Sequence, residues 1–277
     1  ITVDDVPGVV LASLVVDANT TRSDVLVQVG TASGRAGDAA NPSSLIDVYV
    51  RVVCPSASRV WPAVVVQQNH GMIDHTWIWR ADPGSGVGWT TNRADYAPRV
   101  HGDDVLVTGL FVEHFNKYDV YWSGERGRTI FFQNEKAYDA PNAAAVTHDG
   151  ITGYAAYKVD DSVTTHEAWG LGSYCNYTAD PSIVQAHGFQ VPTGSGIKLH
   201  DLLVISLGGN GQYAHVVNNT GPATSGTSTI VATSPQWPPA SPPATTRIST
   251  PARTCASAWS RVPTSAATGT LWRLPSS

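Results

Sequence analysis

Short apolar runs, punctuated by Gly, Ser, Asn and Asp, recur along most of the chain. Residues 9–17, 25–29, 45–53 and 63–68 are rich in Val and Leu, shorter than a typical helix and bounded by turn formers, so each predicts a β-strand. Some runs are continuously apolar and others alternate, as expected where one strand face packs inside and the other meets water or a neighbouring layer. No convincing 3.6-residue period appears, and residues 154–159 are too few to count as a helix. Four segments share one plan, a polar turn holding Asp, His or Gly followed by a strand: NHGMIDHTWIW (69–79), VHGDDVLVTGLFV (100–112), VDDSVTTHEAWGL (159–171) and IKLHDLLVISLGG (197–209). A recurring turn-plus-strand unit predicts stacked coils, with the irregular intervals taken up by loops protruding from the turns. A β-sandwich also has many short strands. The tight Asn-Gly and Asp-Gly hairpins that sandwiches favour are missing from runs such as 197–209, which tips the reading toward a coil. The pattern holds over residues 1–220. From 221 to 277 Pro, Ser, Thr and Ala dominate, which predicts an extended tail over the surface, with Trp272 docking back near the end.

Within this frame the stretch 105–142 carries the most distinctive chemistry. Glu113 in LFVEHF and Glu135 in FFQNEKAYDAP each follow a short apolar run. Their separation matches one coil of roughly 20 to 30 residues, which would place the two carboxylates in one column on neighbouring strands about 4.8 Å apart. Like charges that close in a partly dry cleft cannot both ionise easily, so one pKa rises. A carboxylic acid kept protonated near neutral pH, with Phe132, Tyr138 and Trp122 around it, is the chemistry of glycosidic bond cleavage. The plain alternative is two solvated strand-end residues.

Composition narrows the class. Charged residues make up 14% of 277, with 25 Gly, 18 Pro, nine Trp and ten Tyr, a profile of all-β extracellular proteins with aromatic surfaces suited to sugars. A net charge of −5 gives no basic nucleic-acid footprint. No apolar run is long enough to span a membrane as a helix. Cys54, Cys175 and Cys255 lack zinc-site spacing, so neither metal nor cofactor is expected. One disulfide with one free thiol suits a secreted chain, and so do sequons at Asn19, Asn176 and Asn218. The abrupt strand-like opening suggests a mature product or fragment.

The segments LIDVYVRVV (45–53), IDHTWIWRAD (73–82), LFVEHFNKYDVYW (110–122) and FFQNEKAYDAP (131–141) resemble, in order and spacing, the C-terminal β-helix of glycoside hydrolase family 55. The likeness covers roughly residues 45–220, and the two glutamate motifs are its most specific part. Pro83, Val112 and Ala137 depart from the family's motifs. The resemblance implies a right-handed parallel β-helix and a secreted, inverting, exo-acting glycosidase on β-1,3-glucan. It also implies a second β-helix, on the same or another chain, as partner. It assigns Glu135 as general acid and Glu113 as the charge that raises its pKa and helps order the water. His114, Gln133, Tyr138, Trp122 and Trp89 are the candidate substrate-binding residues. Two other readings fit less of the sequence: a non-catalytic glucan-binding or structural β-helix, and a polysaccharide lyase built on the doublets Asp103-Asp104 and Asp160-Asp161.

Overall fold

The computed structural model describes residues 1–53 and 60–239. Cys54, Cys255 and Trp272, and with them the disulfide pairing and the docking of the C-terminal end, lie outside the described residues. Cys175 is a buried free thiol.

The chain winds through two sheets in alternation. The short sheet holds β1 (Thr2–Val3), β3 (Val27–Val29), β5 (Val64–Val66), β7 (Arg99–Val100), β9 (Val120–Trp122), β13 (Tyr157–Val159), β15 (Val184–Gln190) and β17 (Gln212–Val217). The long sheet holds β2 (Val10–Asp17), β4 (Ser44–Val52), β6 (Met72–Arg80), β8 (Leu106–Glu113), β10 (Gly127–Glu135), β14 (His166–Cys175), β16 (Ile197–Ser206) and β18 (Ile230–Trp237). From β3 to β17 each strand of these two sheets pairs in parallel with the strand one coil earlier, which makes the body a parallel β-helix. Three of the four repeats read from the sequence are the turns leading into β6, β8 and β14 with those strands, and the fourth, 197–209, is β16 itself with the turn that follows it. The repeat missed β10, although its turn, SGERG, is polar and holds two glycines.

Two features depart from the sequence expectation. Residues 221–239, expected as part of an extended surface tail, belong to the folded body, because β18 pairs antiparallel with β16 and ends the long sheet. Pro235 is tolerated there because β18 is an edge strand. One Asp-Gly hairpin is present as well: Asp149 and Gly150, both with positive φ, join β11 (Thr147–His148) to β12 (Ile151–Thr152) as an insertion beside the coil. Of the sequons, Asn218 is committed to the fold, bonded through both side-chain ends to the Val191 backbone at 2.9 and 3.0 Å.

Every rung of the long sheet but the last is bent at the same place. Ser13, Asp47, His75, Gly109, Phe131, Gly170 and Asp201 occupy equivalent positions and all have φ between 46° and 66°. Left-handed backbone costs an ordinary L-residue about 1–2 kcal/mol, which glycine escapes and short polar side chains offset locally. Phe131 is the bulky residue among them.

The coil interior is packed with stacked apolar rows, such as Val50, Ile78 and Val112, all fully buried. The next residue in that row is Asn134, also fully buried. Its Nδ2 donates to Val112 O at 2.7 Å, and its Oδ1 accepts from Ser173 Oγ at 2.7 Å; Ser173 Oγ in turn lies 2.7 Å from Tyr213 OH. This chain of bonds ties three successive rungs together directly beneath Glu135. Asn134→Ala would strand buried partners, so denaturant unfolding should show a loss of about 1–3 kcal/mol. An unchanged midpoint would mean that the chain of bonds does not hold the rungs.

Candidate active site

Rung geometry sets the site. Glu113 and Glu135 are the last residues of β8 and β10 and are direct register partners, one 22-residue coil apart. Along the same row Trp79 precedes Glu113 and Tyr174 follows Glu135. Two residues upstream a second outward row runs Tyr49, Trp77, Phe111, Gln133. Trp77 and Trp79 stack with ring centres 5.3 Å apart and planes within 14°. Their neighbours Thr76, Ile78 and Arg80 point inward and are buried, so strand alternation turns both indoles outward beside Glu113.

Three of the expected binding residues gather on Glu135. Tyr138 OH donates to Oε2 at 2.6 Å, Gln133 Nε2 donates to Oε1 at 3.4 Å, and His114 Nε2 lies 3.5 Å from Oε2. His114 has left-handed backbone, which swings its ring back toward the strand ends. Its Nδ1 is 2.6 Å from Asp82 Oδ2, an ion-pair contact off the line of an ideal hydrogen bond. Asp82 also accepts from the Tyr138 amide at 2.9 Å. Beneath this layer the fully buried Arg80 donates to His114 O and to Asp139, with its guanidinium 5.9 Å from the ring centre of Trp89. Lys136 and Asp119, both buried, pair just below.

Electrostatics separates the two glutamates, in the opposite sense to the sequence expectation. Burial raises the pKa of Glu113, helped by the negative charge of Glu135 and opposed by the Trp77 indole. Glu135 is held below the usual carboxylate range because the His114 contact and the Tyr138 and Gln133 donors outweigh burial. Burial acts to lower the pKa of His114, but its contacts with Asp82 and Glu135 win and raise it to about 9. The resting site therefore holds a protonated His114 between two carboxylates, with Glu113 the more easily protonated member of the pair.

Two expected residues are elsewhere. Trp122 is fully buried in the coil interior, 4.7 Å from the His166 ring, with its indole N–H on Gly124 O at 3.1 Å. A Cβ at Gly127 would sit 2.3 Å from its ring, so glycine is required there. Trp122 is core and cannot stack on a sugar. Trp89 is half-buried behind Arg80 and braces it. The candidates drawn from the sequence did not include Trp77 and Trp79, nor Tyr174, Arg80 and Asp82. Strand alternation through IDHTWIWR was the signal for the two indoles, whereas nothing local marked Asp82 as the partner of His114.

Other charged candidates are structural. Asp104 pairs with Arg126 at 2.8 Å, Asp103 accepts from the Glu125 amide at 2.8 Å, Asp161 pairs with Lys158 at 2.7 Å, and Asp160 accepts from Ser162 Oγ at 2.6 Å. A cleft of about 470 Å³ lies at the opposite end of the long strands, lined by Asp104, Leu106, Arg126, Arg128, Thr165 and Glu167. Its Arg126 is already paired with Asp104.

A family model described as the LAM55 pectate lyase-like domain matches residues 1–135. An exo-β-1,3-glucanase of Streptomyces sp. (strain SirexAA-E / ActE) is 62% identical over 229 residues, 82% of this chain and 38% of that protein. A solved structure of sacteLam55A from Streptomyces sp. SirexAA-E superposes with a TM-score of 0.83 at 58% identity, covering 86% of this chain and 43% of that one. A glutamate-to-alanine variant of the same protein in complex with glucose gives the same values. The chain thus spans about two fifths of the length of these relatives.

The pKa of His114 has a consequence for stability. Raised from 6.5 to about 9, it adds stability that is fully present below pH 6.5 and is lost as pH rises through about 9. The gap corresponds to about 3 kcal/mol. In urea unfolding from pH 6 to 10, the wild type should lose that much more stability than His114→Gln. Parallel curves would show that His114 is not held protonated.

Proposed function

The chain is a glycoside hydrolase family 55-like protein over its β-helical body, and we propose that it hydrolyses β-1,3-glucan from chain ends by general-acid catalysis at Glu113 and Glu135. The observation that carries this reading is the register pairing of the two glutamates beside the stacked Trp77 and Trp79. The likeness to an exo-β-1,3-glucanase supplies the substrate class. Trp77 and Trp79 offer flat apolar faces to sugar rings at the position of bond cleavage.

Glu135 is the proton donor in this scheme, and its low pKa in the open cleft is reconciled by drying. When a sugar displaces water, separated charges lose solvation and the neutral arrangement of Glu135 and His114 gains. The proton on His114 Nε2 then moves to Glu135 Oε2 and on to the glycosidic oxygen, while Nδ1–H stays on Asp82. The proton shed by the attacking water passes to solvent, and solvent reprotonates His114 after turnover. Glu113 orders the attacking water. Register partners on strands about 4.8 Å apart leave less room than the roughly 6.5–9.5 Å typical of an acid and base flanking a bond in inverting enzymes, so Glu113 acts through water.

A right-handed winding is the hand that parallel crossover connections overwhelmingly adopt. A second β-helix, on this or another chain, completes the cleft in this proposal. The matched region is 38% and 43% of the relatives, and the free edge of β2 leaves Leu11, Leu14 and Val16 only half-buried. Secretion is proposed on composition alone.

Glu135→Gln should lower kcat on laminarin by several orders of magnitude with little change in binding or folding, since only proton donation is lost. Glu113→Gln should lower the rate and move the alkaline limb of the pH profile down, because a negative charge that helps keep His114 protonated has gone. Retained activity in Glu135→Gln would remove it from the donor role. Proton NMR of the first product should show the inverted α-anomer; a β-anomer would replace the scheme with a covalent, retaining one.

A further inference from the structure

Phe131 stands at the bend of β10 in left-handed backbone, where the equivalent positions hold Ser, Asp, His, Gly, Gly and Asp. Phe131 is 50% exposed, and its neighbour Ile130 is 48% exposed. An aromatic side chain in this conformation, half in water, receives little return from the fold. It does have one aromatic neighbour: the Phe111 ring centre is 5.6 Å away, with the planes tilted by 58°. Phe111 is the register partner of both Trp77 and Gln133, and Trp77 stacks on Trp79, the partner of Glu113. Ring contacts and strand register therefore set Trp79, Trp77, Phe111 and Phe131 in succession from the glutamate pair. Four residues of strand separate Phe131 from Glu135, roughly 13 Å at about 3.3 Å per residue, farther than one sugar ring reaches.

We propose that Phe131, backed by Phe111, is a sugar-binding platform that holds residues of the glucan chain remote from the bond being cleaved and so sets a preference for polymer over short oligosaccharides. The proposal rests on the glucanase reading. Apolar ring faces one strip away from the reacting residues add binding only for chains long enough to reach them.

The test compares kcat/KM on laminarin with kcat/KM on laminaribiose. Phe131→Asn keeps a residue that tolerates left-handed backbone and removes the ring, and Phe131→Trp keeps an aromatic face. The laminarin-to-laminaribiose ratio should fall about tenfold in Phe131→Asn, the scale of one good aromatic contact, and stay within about twofold of wild type in Phe131→Trp. An unchanged ratio in Phe131→Asn, or an equal fall in both variants, overturns the platform. If the wild type cleaves neither substrate, the glucanase reading fails on its own, and affinity electrophoresis in laminarin gels still decides. Retardation weakened by Phe131→Asn and kept by Phe131→Trp supports the platform, and equal retardation in all three refutes it.

Discussion

Parallel register between successive coils is the constraint on which everything at this site depends. A strand position repeats one strand spacing away in the next coil, so any residue type placed at that position twice becomes a pair. Between β8 and β10 a coil of 22 residues brings two carboxylates into register at the strand ends. The interior enforces the register from below, through the valine row and the Asn134–Ser173–Tyr213 bonds. A slip by one residue would turn the glutamates inward and Asn134 outward, which burial of charge forbids.

A second tier fixes the electrostatics. Arg80 and Lys136 are buried cations, and each is matched by a carboxylate and a backbone carbonyl, so both charges are compensated. Arg80 anchors the His114 backbone, Asp82 faces the His114 ring, and His114 with Tyr138 controls Glu135. The result is a carboxylate pair whose members differ in proton affinity although they are chemically identical and adjacent.

Much of this was legible in the sequence. Short Val-rich strands and recurring polar turns gave the all-β coil, and the interval between two Glu-ended strands gave the pair itself. His114, Gln133 and Tyr138 were found because they lie within three residues of Glu113 or Glu135 in the chain. What was missed depends on contacts between coils. Trp122 looks like any aromatic near the site, and only its placement on β9, facing inward over Gly127, makes it core. The sense of the pKa difference was also hidden, because it is set by Asp82, 32 residues before His114, and by burial that a linear pattern does not carry. The strand within 230–237 was obscured by its Pro- and Ser-rich surroundings.

The central claim is that the paired glutamates share an environment that splits their proton affinities, with Glu113 the one raised. Infrared difference titration of the carboxyl C=O band on wild type, Glu113→Gln and Glu135→Gln tests this without relying on turnover. A protonated-carboxyl band that persists above the ordinary glutamate range, is abolished by Glu113→Gln and is retained but shifted in Glu135→Gln is the predicted result. A band that follows Glu135 instead, or no band outside the ordinary range in any of the three proteins, would contradict the account.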